Sequence, residues 1–140
     1  MGNKAHFFRY SGELPIPLGS ASAQTGSVGI TDTTLVLDRV QLREVTFDDE
    51  ELMRDLLAAL IDDTRRQMPL LDMAIRNADA LQCIRLAHYC KGACANVGAN
   101  AAATVLAELE RNARSGAMEE CGRQLTVLAA EIDRLRAERI

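Results

Sequence analysis

The chain has 140 residues, of which 48% are hydrophobic, 4% are aromatic and none is tryptophan. Leucine and alanine, which favour helices, supply most of the apolar content, whereas sandwiches and barrels of strands need more β-branched and aromatic residues. With 26% charged residues and a formal net charge of −4, the chain has no basic excess that would predict nucleic acid or an anionic membrane as a partner. The composition predicts an all-α domain with one hydrophobic core.

The first 34 residues differ in composition from the rest of the chain. They hold two of the three prolines, five of the nine glycines, and three of the five aromatic residues, Phe7, Phe8 and Tyr10. They lack helical periodicity, which is typical of a flexible or extended segment. We therefore predict an N-terminal arm over 1–34 and a helical domain over 35–140. Either the arm is a disordered leader, or its aromatic residues dock on the domain or on a neighbouring subunit.

Two helices are predicted in the first half of the domain. Apolar residues between Leu35 and Thr46 predict a short lead-in helix. The acidic run at 48–51 marks the start of a long helix, because carboxylates are favoured at helix N-termini. Apolar residues then recur every three or four positions as far as Ile75. Pro69 interrupts this stripe without changing its phase, so we expect a kink rather than an end.

Three more helices follow, separated by short turns. The turn at 77–79 precedes a third helix over 80–97, which Gly98 is expected to end. A fourth helix spans about 99–115, and the last begins near Ala117. Because turns this short make consecutive helices antiparallel, the pattern predicts an up-down-up-down four-helix bundle with a short N-terminal lead-in helix.

The third predicted helix has an unusual face opposite its apolar stripe. Gly92 lies inside the helix, where glycine costs about 1 kcal/mol relative to alanine. Ile84 is an apolar residue on the side that should face solvent. A face that served stability alone would carry Glu, Lys or Gln at both positions. At 100° per residue this face groups the following residues: Ile84, Arg85, His88, Lys91, Gly92 and Ala95.

A functional interpretation accounts for both anomalies. The imidazole of His88 offers a ring nitrogen as a nucleophile near neutral pH. Lys91 lies three residues further on, so its ammonium can reach a phosphoryl group carried on that ring. Gly92 would leave room for the active-site loop of another protein. Ile84, Arg85 and Ala95 would then form the surface on which that protein docks.

The residues around His88 resemble the signature of histidine-containing phosphotransfer (HPt) domains. That signature reads A-H-x-x-K-G, then a stretch of small residues, then N-x-G-A. Here it appears as AHYCKG at 87–92 and NVGA at 96–99, with the pair Leu109-Glu110 on the next helix. The resemblance covers about 35–140 and leaves the arm unexplained. The sequence departs from the commonest pattern at Tyr89 and Cys90, where Thr and Leu are frequent.

The resemblance implies a phosphorelay shuttle. His88 would accept a phosphoryl group from the aspartate of one receiver domain and pass it to another, Lys91 would steady the phosphoryl oxygens, and Gly92 would give clearance. Arg114 would add a second positive charge, unless it simply pairs with Glu110. The implied partners are response-regulator receiver domains, a hybrid histidine kinase, or both, with Mg²⁺ bound by the receiver and no cofactor on this chain. We expect a cytoplasmic monomer that has no kinase or ATP-binding activity, no bound metal, and neither nucleic acid nor membrane as a partner.

Three other interpretations remain open. His88 could be an ordinary surface histidine. The cysteines at 83, 90, 94 and 121 could form a metal or redox site, although they share a face with core residues and lack the close C-x-x-C spacing that zinc favours. Finally, the chain could be a helical receiver-binding module without phosphoryl transfer.

Overall fold

The computed structural model describes residues 35–140, which form five α-helices and no strand. The predicted all-α fold is confirmed. The predicted arm over 1–34 lies outside the described residues. No helix within 35–140 combines the length and the apolar character needed to cross a membrane. The helices are α1 (Arg39–Val45), α2 (Glu50–Arg76), α3 (Ala80–Val97), α4 (Asn100–Arg114) and α5 (Met118–Arg136).

The four long helices form the bundle. α2 packs on α3 and α5, and α4 packs on the same two helices, so helices that follow each other in the chain are neighbours in space. α1 contacts α2 and α3. Because only the short turn at 98–99 separates α3 from α4, the two helices run back along each other. This arrangement places the side chains of α4 beside the exposed face of α3.

The helix boundaries follow from capping side chains. The carboxylate of Asp49 accepts hydrogen bonds from the backbone N–H groups of Glu51 and Leu52 and starts α2. Asp79 does the same for α3 through the N–H group of Gln82, at 3.1 Å. As predicted from the unchanged phase of the stripe, α2 continues through Pro69.

The lead-in helix is shorter than predicted. It begins at Arg39 rather than near Leu35, because the side chain of Asp38 accepts hydrogen bonds from the N–H groups of Val40 and Gln41 and caps the helix there. The carbonyl of Leu35 instead accepts a hydrogen bond from the N–H group of Ala101, at 2.9 Å. The segment before α1 therefore satisfies one of the free N–H groups at the start of α4.

The turn between α3 and α4 requires glycine for two reasons. Gly98 has a φ of +96°, a conformation that other residues adopt only at a cost. A Cβ atom at this position would also lie 2.8 Å from the backbone oxygen of Asp38. The Asp38 N–H group donates to the Gly98 carbonyl at 2.8 Å, and the Gln41 side chain donates to the Ala95 carbonyl at 2.6 Å. α1 is thus attached to the end of α3.

The core is aliphatic, as the composition predicted, and also contains sulfur from cysteine and methionine. All four cysteines are buried and free. The two aromatic residues within the described part of the chain, Phe47 and Tyr89, are both exposed. The largest fully buried apolar side chains are Leu42, Met53, Leu71, Val97, Leu106, Leu109, Leu128, Ile132 and Leu135.

Candidate functional site

The exposed face of α3 centres on His88, whose side chain is 68% exposed. Arg85 and Ala95 are also exposed, one turn before and two turns after it, whereas Lys91 and Gly92 are half-buried. The opposite face forms the core as predicted, with Leu86 only partly buried. Its buried residues are Cys83, Ala87, Cys90, Ala93, Cys94 and Val97.

Ile84 differs from the expectation that it points to solvent. It is half-buried and packs against the core cluster. Packing against the core explains why an apolar residue occurs at this position, so Ile84 is less unusual than the sequence suggested. Only its outer part remains available as a docking surface beside His88.

Glycine at position 92 is as unusual in the structure as it is in the sequence. Apart from its two chain neighbours and the backbone of its own helix, a Cβ atom added there would meet no atom of the described chain within 4 Å. Neither backbone conformation nor close packing explains a glycine inside α3, because its φ is in the helical range and the space beside it is open. The fold itself therefore gives no reason for glycine at this position.

The structure adds a residue that the sequence interpretation left without a role. Glu110 on α4 is buried, with a side chain that is 7% exposed, and it faces His88. Its carboxylate oxygens lie 3.3 and 3.4 Å from Nδ1 of His88. The same carboxylate binds Nζ of Lys91 at 2.9 Å and Nη2 of Arg114 at 2.7 Å. One buried carboxylate therefore joins three side chains that carry nitrogen donors.

The charge on Glu110 is set by a balance of two effects. Burial raises its pKa, but hydrogen bonds from Lys91 and Arg114, together with the positive charges around it, outweigh burial and lower the pKa to about 2. The group is consequently ionised at neutral pH. Two cations and one anion leave this cluster with a net charge of about +1 when His88 is neutral.

The carboxylate also determines which nitrogen of His88 carries the proton. An ionised carboxylate can only accept hydrogen bonds, so the Nδ1–H group of a neutral imidazole is the donor. Nε2 then holds the free lone pair. Since Nδ1 faces Glu110 and the ring is largely exposed, Nε2 is the nitrogen available to a reagent from outside.

Lys91 and Arg114 are both engaged within the protein. Lys91 was expected to stand ready for a phosphoryl group, yet its ammonium is paired with Glu110. For Arg114 the sequence left two roles open, a second positive charge beside His88 or a pairing with Glu110. In the structure Arg114 is paired with Glu110. The sequence signals for this cluster were the Leu109-Glu110 pair in the family signature and the spacing of Glu110 and Arg114 on one helix.

Tyr89 follows His88 but lies on the side of α3 that faces α2. Its hydroxyl group donates a hydrogen bond of 2.7 Å to Asp63. Partial burial, followed by this hydrogen bond and the charge of Asp63, raises the pKa of Tyr89 to about 12. Tyr89 therefore links α3 to α2 beside the histidine.

The cysteines form no candidate site of their own. Burial is the main cause that raises the pKa of Cys83 to about 11 and that of Cys94 to about 12, so these thiols are protonated and poor ligands at neutral pH. Within residues 35–140, no three side chains of His, Cys, Asp or Glu are grouped so as to hold a metal ion.

Comparison with known proteins gives one family and one solved structure. The family model described as Hpt domain matches residues 55–138, which include His88 and Glu110. The crystal structure of histidine-containing phosphotransfer protein B (HptB) from Pseudomonas aeruginosa PAO1 is similar, with 27% sequence identity and a TM-score of 0.67. The similarity covers 72% of this chain and 88% of that chain. The comparison with curated proteins gives no match.

Proposed function

The chain belongs to the Hpt domain family and is a histidine phosphotransfer protein of a phosphorelay, and we propose that His88 carries its phosphoryl group. The observation that supports this assignment is the contact between Nδ1 of His88 and the buried carboxylate of Glu110. That contact leaves Nε2 exposed on a rigid helix as the nucleophile. The second histidine of the chain, His6, has no comparable setting in the sequence.

The proposed reaction needs no proton transfer on this chain. The lone pair of Nε2 forms a bond to phosphorus while the bond from phosphorus to the aspartyl oxygen of the donor receiver breaks. The donor leaves as a carboxylate, and the proton on Nδ1 stays in place against Glu110. Lys91 is 33% exposed and adjacent to His88, so its ammonium can contact the phosphoryl oxygens from the pair that it forms with Glu110.

Docking is proposed to use the open surface around His88. Arg85 and Ala95 are exposed, and the outer part of Ile84 adds an apolar contact. The space over Gly92 would admit the active-site loop of the receiver, because no side chain or other helix of the described chain lies within 4 Å of an added Cβ atom. Receiver domains and a histidine kinase are the partner classes that the family implies.

We further propose that this chain uses no cofactor, binds no ATP and acts as a cytoplasmic monomer. Stabilisation of the transition state would come mainly from the Mg²⁺ ion and the cationic groups of the partner receiver. The family is a phosphocarrier module rather than a kinase, so the phosphoryl group has to come from a partner.

The test is transfer from a radiolabelled phosphorylated receiver domain. The wild-type chain should acquire an acid-labile, alkali-stable label, and His88→Gln should not. His6→Gln is the matched control, because it removes the other histidine of the chain and should keep the label. Retention of label in His88→Gln would disprove the assignment. Binding to receivers without any transfer would instead identify a receiver-binding module.

A further inference from the structure

Tyr89 occupies a position of α3 where the family signature frequently has Thr. The described part of the chain contains two aromatic residues, and Tyr89 is the one beside His88. Tyr89 is 38% exposed, yet its hydroxyl group is held by the carboxylate of Asp63 on α2 at 2.7 Å. Aromatic side chains stabilise a fold mainly by burying their rings. A ring that is fixed at the surface, next to a reactive histidine, suggests a second role.

We propose that Tyr89 is a preorganised contact for the receiver domain, and that Asp63 holds its ring in the docking position. This inference rests on the proposed function of His88. It extends the proposed docking surface across α3 towards α2. The occupant is the receiver domain that exchanges a phosphoryl group with His88, and an apolar side chain of that receiver meets the ring. Asp63 is a positioning residue, because it acts through Tyr89.

The first argument is the place of Tyr89 around α3. At 100° per residue, Gly92 lies between His88 and Tyr89, about 40° from the first and about 60° from the second. Side chains on a helix lean towards its N-terminus, so the side chain that Gly92 lacks would have pointed towards these two residues. A receiver loop that enters the open space over Gly92 to reach Nε2 therefore has the imidazole on one side and the Tyr89 ring on the other.

The second argument is what the hydrogen bond leaves for a partner. The hydroxyl group of Tyr89 already donates to Asp63, and because the pKa of Tyr89 is raised to about 12, it remains the donor at neutral pH. The carboxylate of Asp63 is only 25% exposed and lies 3.7 Å from Arg66, which balances its charge. A partner gains little from a polar group opposite this hydroxyl, so an apolar side chain is the better complement to the ring.

The third argument is preorganisation. A side chain that is ordered before docking loses less rotamer freedom when the partner binds, and aromatic residues with few rotatable bonds are common anchors of interfaces. An aromatic side chain can bury about 150–250 Å², so the exposed 38% of Tyr89 corresponds to roughly 60–95 Å². Loss of that contact is expected to weaken binding by about tenfold or more.

The test measures transfer from a phosphorylated receiver domain by rapid quench over a range of receiver concentrations, which separates the maximal rate from KM. Tyr89→Thr removes the ring and introduces the residue that is frequent in the signature. KM should rise about tenfold while the maximal rate is unchanged, because the contact is the same before and during transfer. With a panel of receivers, the ratio of kcat/KM between the preferred receiver and slower ones should fall by a similar factor. A purely structural role would lower transfer from all receivers alike.

Two further variants test the role of Asp63. Asp63→Ala and Tyr89→Phe both break the hydrogen bond and keep the ring, so each should raise KM about threefold. Because both act on one interaction, the double variant should raise KM no further than either single one. Asp72→Ala is the matched control: Asp72 also lies on α2 and pairs with Arg76, as Asp63 pairs with Arg66, and KM should stay at the wild-type value.

The remaining outcomes would overturn the inference. A wild-type KM in Tyr89→Thr would do so, as would a lower maximal rate at unchanged KM. Additive effects of Asp63→Ala and Tyr89→Phe would remove the role of Asp63. Helical circular dichroism shows whether each variant is folded, and Tyr89→Phe keeps the ring, so a wild-type KM in that variant would refute preorganisation even if Tyr89→Thr unfolds. A wild-type chain labelled elsewhere than at His88 would overturn the proposed function itself, which separates the two failures.

Discussion

Substitutions of Gly92 should affect the stability of the fold and the rate of phosphoryl transfer in opposite directions. Because an added Cβ would meet no atom of the described chain within 4 Å beyond the local helix backbone, alanine should fit without strain. Alanine inside a helix is more stable than glycine by about 0.8–1 kcal/mol, so Gly92→Ala should raise the free energy of unfolding by that amount. For a domain of this size the midpoint of thermal unfolding should rise by about 4 °C.

A longer side chain at the same position should slow phosphoryl transfer. If a receiver loop occupies the space over Gly92, the side chain in Gly92→Gln must be held aside during docking. The loss of rotamer freedom costs about 1.5–2 kcal/mol, which corresponds to a transfer rate about ten to thirty times lower. The assay is rapid-quench measurement of transfer from a phosphorylated receiver at concentrations below saturation.

Gly122 provides the matched control. It also lies inside a helix, α5, and an added Cβ there would again meet nothing within 4 Å. Gly122→Ala should therefore stabilise the fold like Gly92→Ala, and Gly122→Gln should transfer at the wild-type rate. Equal transfer rates for Gly92→Gln and Gly122→Gln would refute the clearance argument. A loss of stability in Gly92→Ala would show that this glycine has a role within the fold.

Three further predictions concern the turn and the charged cluster. Gly98→Ala should lower the free energy of unfolding by about 2–3 kcal/mol in urea titrations, because positive φ is strained for alanine and the added Cβ would crowd Asp38. Gly116 also has a positive φ but has open space beside it, so Gly116→Ala should lower the free energy of unfolding by only about 1 kcal/mol. Lys91→Ala should slow transfer or shorten the lifetime of phosphohistidine, and wild-type values for both would remove the role of Lys91. The pKa of Glu110 falls from 4.5 to about 2 on folding, so its stabilising contribution is present above pH 4.5 and is lost as the pH falls towards 2. The wild type should accordingly lose more stability than Glu110→Gln between pH 4.5 and pH 3, and parallel stability curves would contradict this.

The helices were predictable because their signals are local in sequence. The spacing of apolar residues in α2 and the glycine at 98 determine a helical face and a stop without reference to the rest of the chain. The start of α1 was not predictable in the same way. Leu35 bonds to Ala101, and Asp38 bonds to Gly98, and these partners lie some sixty residues away in sequence. Contacts between residues so far apart in the chain produce no periodic pattern in the sequence.

The candidate site was likewise predictable only in part. The helical periodicity of α3 correctly placed His88 on the exposed face and the apolar stripe in the core, because both positions follow from a rotation of 100° per residue. The register could not show that Ile84 packs against the core, since that depends on neighbouring helices. It could not show that the ammonium of Lys91 is already paired, since its partner belongs to α4.

Glu110 shows how the turn at Gly98 connects the fold to the chemistry. The pairing of Glu110 with Arg114 follows from their spacing on one helix, but its contact with His88 depends on the register between α3 and α4. Each helical turn advances about 5.4 Å, which exceeds the 3.3 Å contact, so a shift of α4 by one turn would move the carboxylate out of reach. That register is set by a turn only two residues long, whose geometry requires glycine at 98 and is held by the segment before α1. The tautomer of His88 therefore depends on a glycine that lies ten residues further along the chain, at the end of α3.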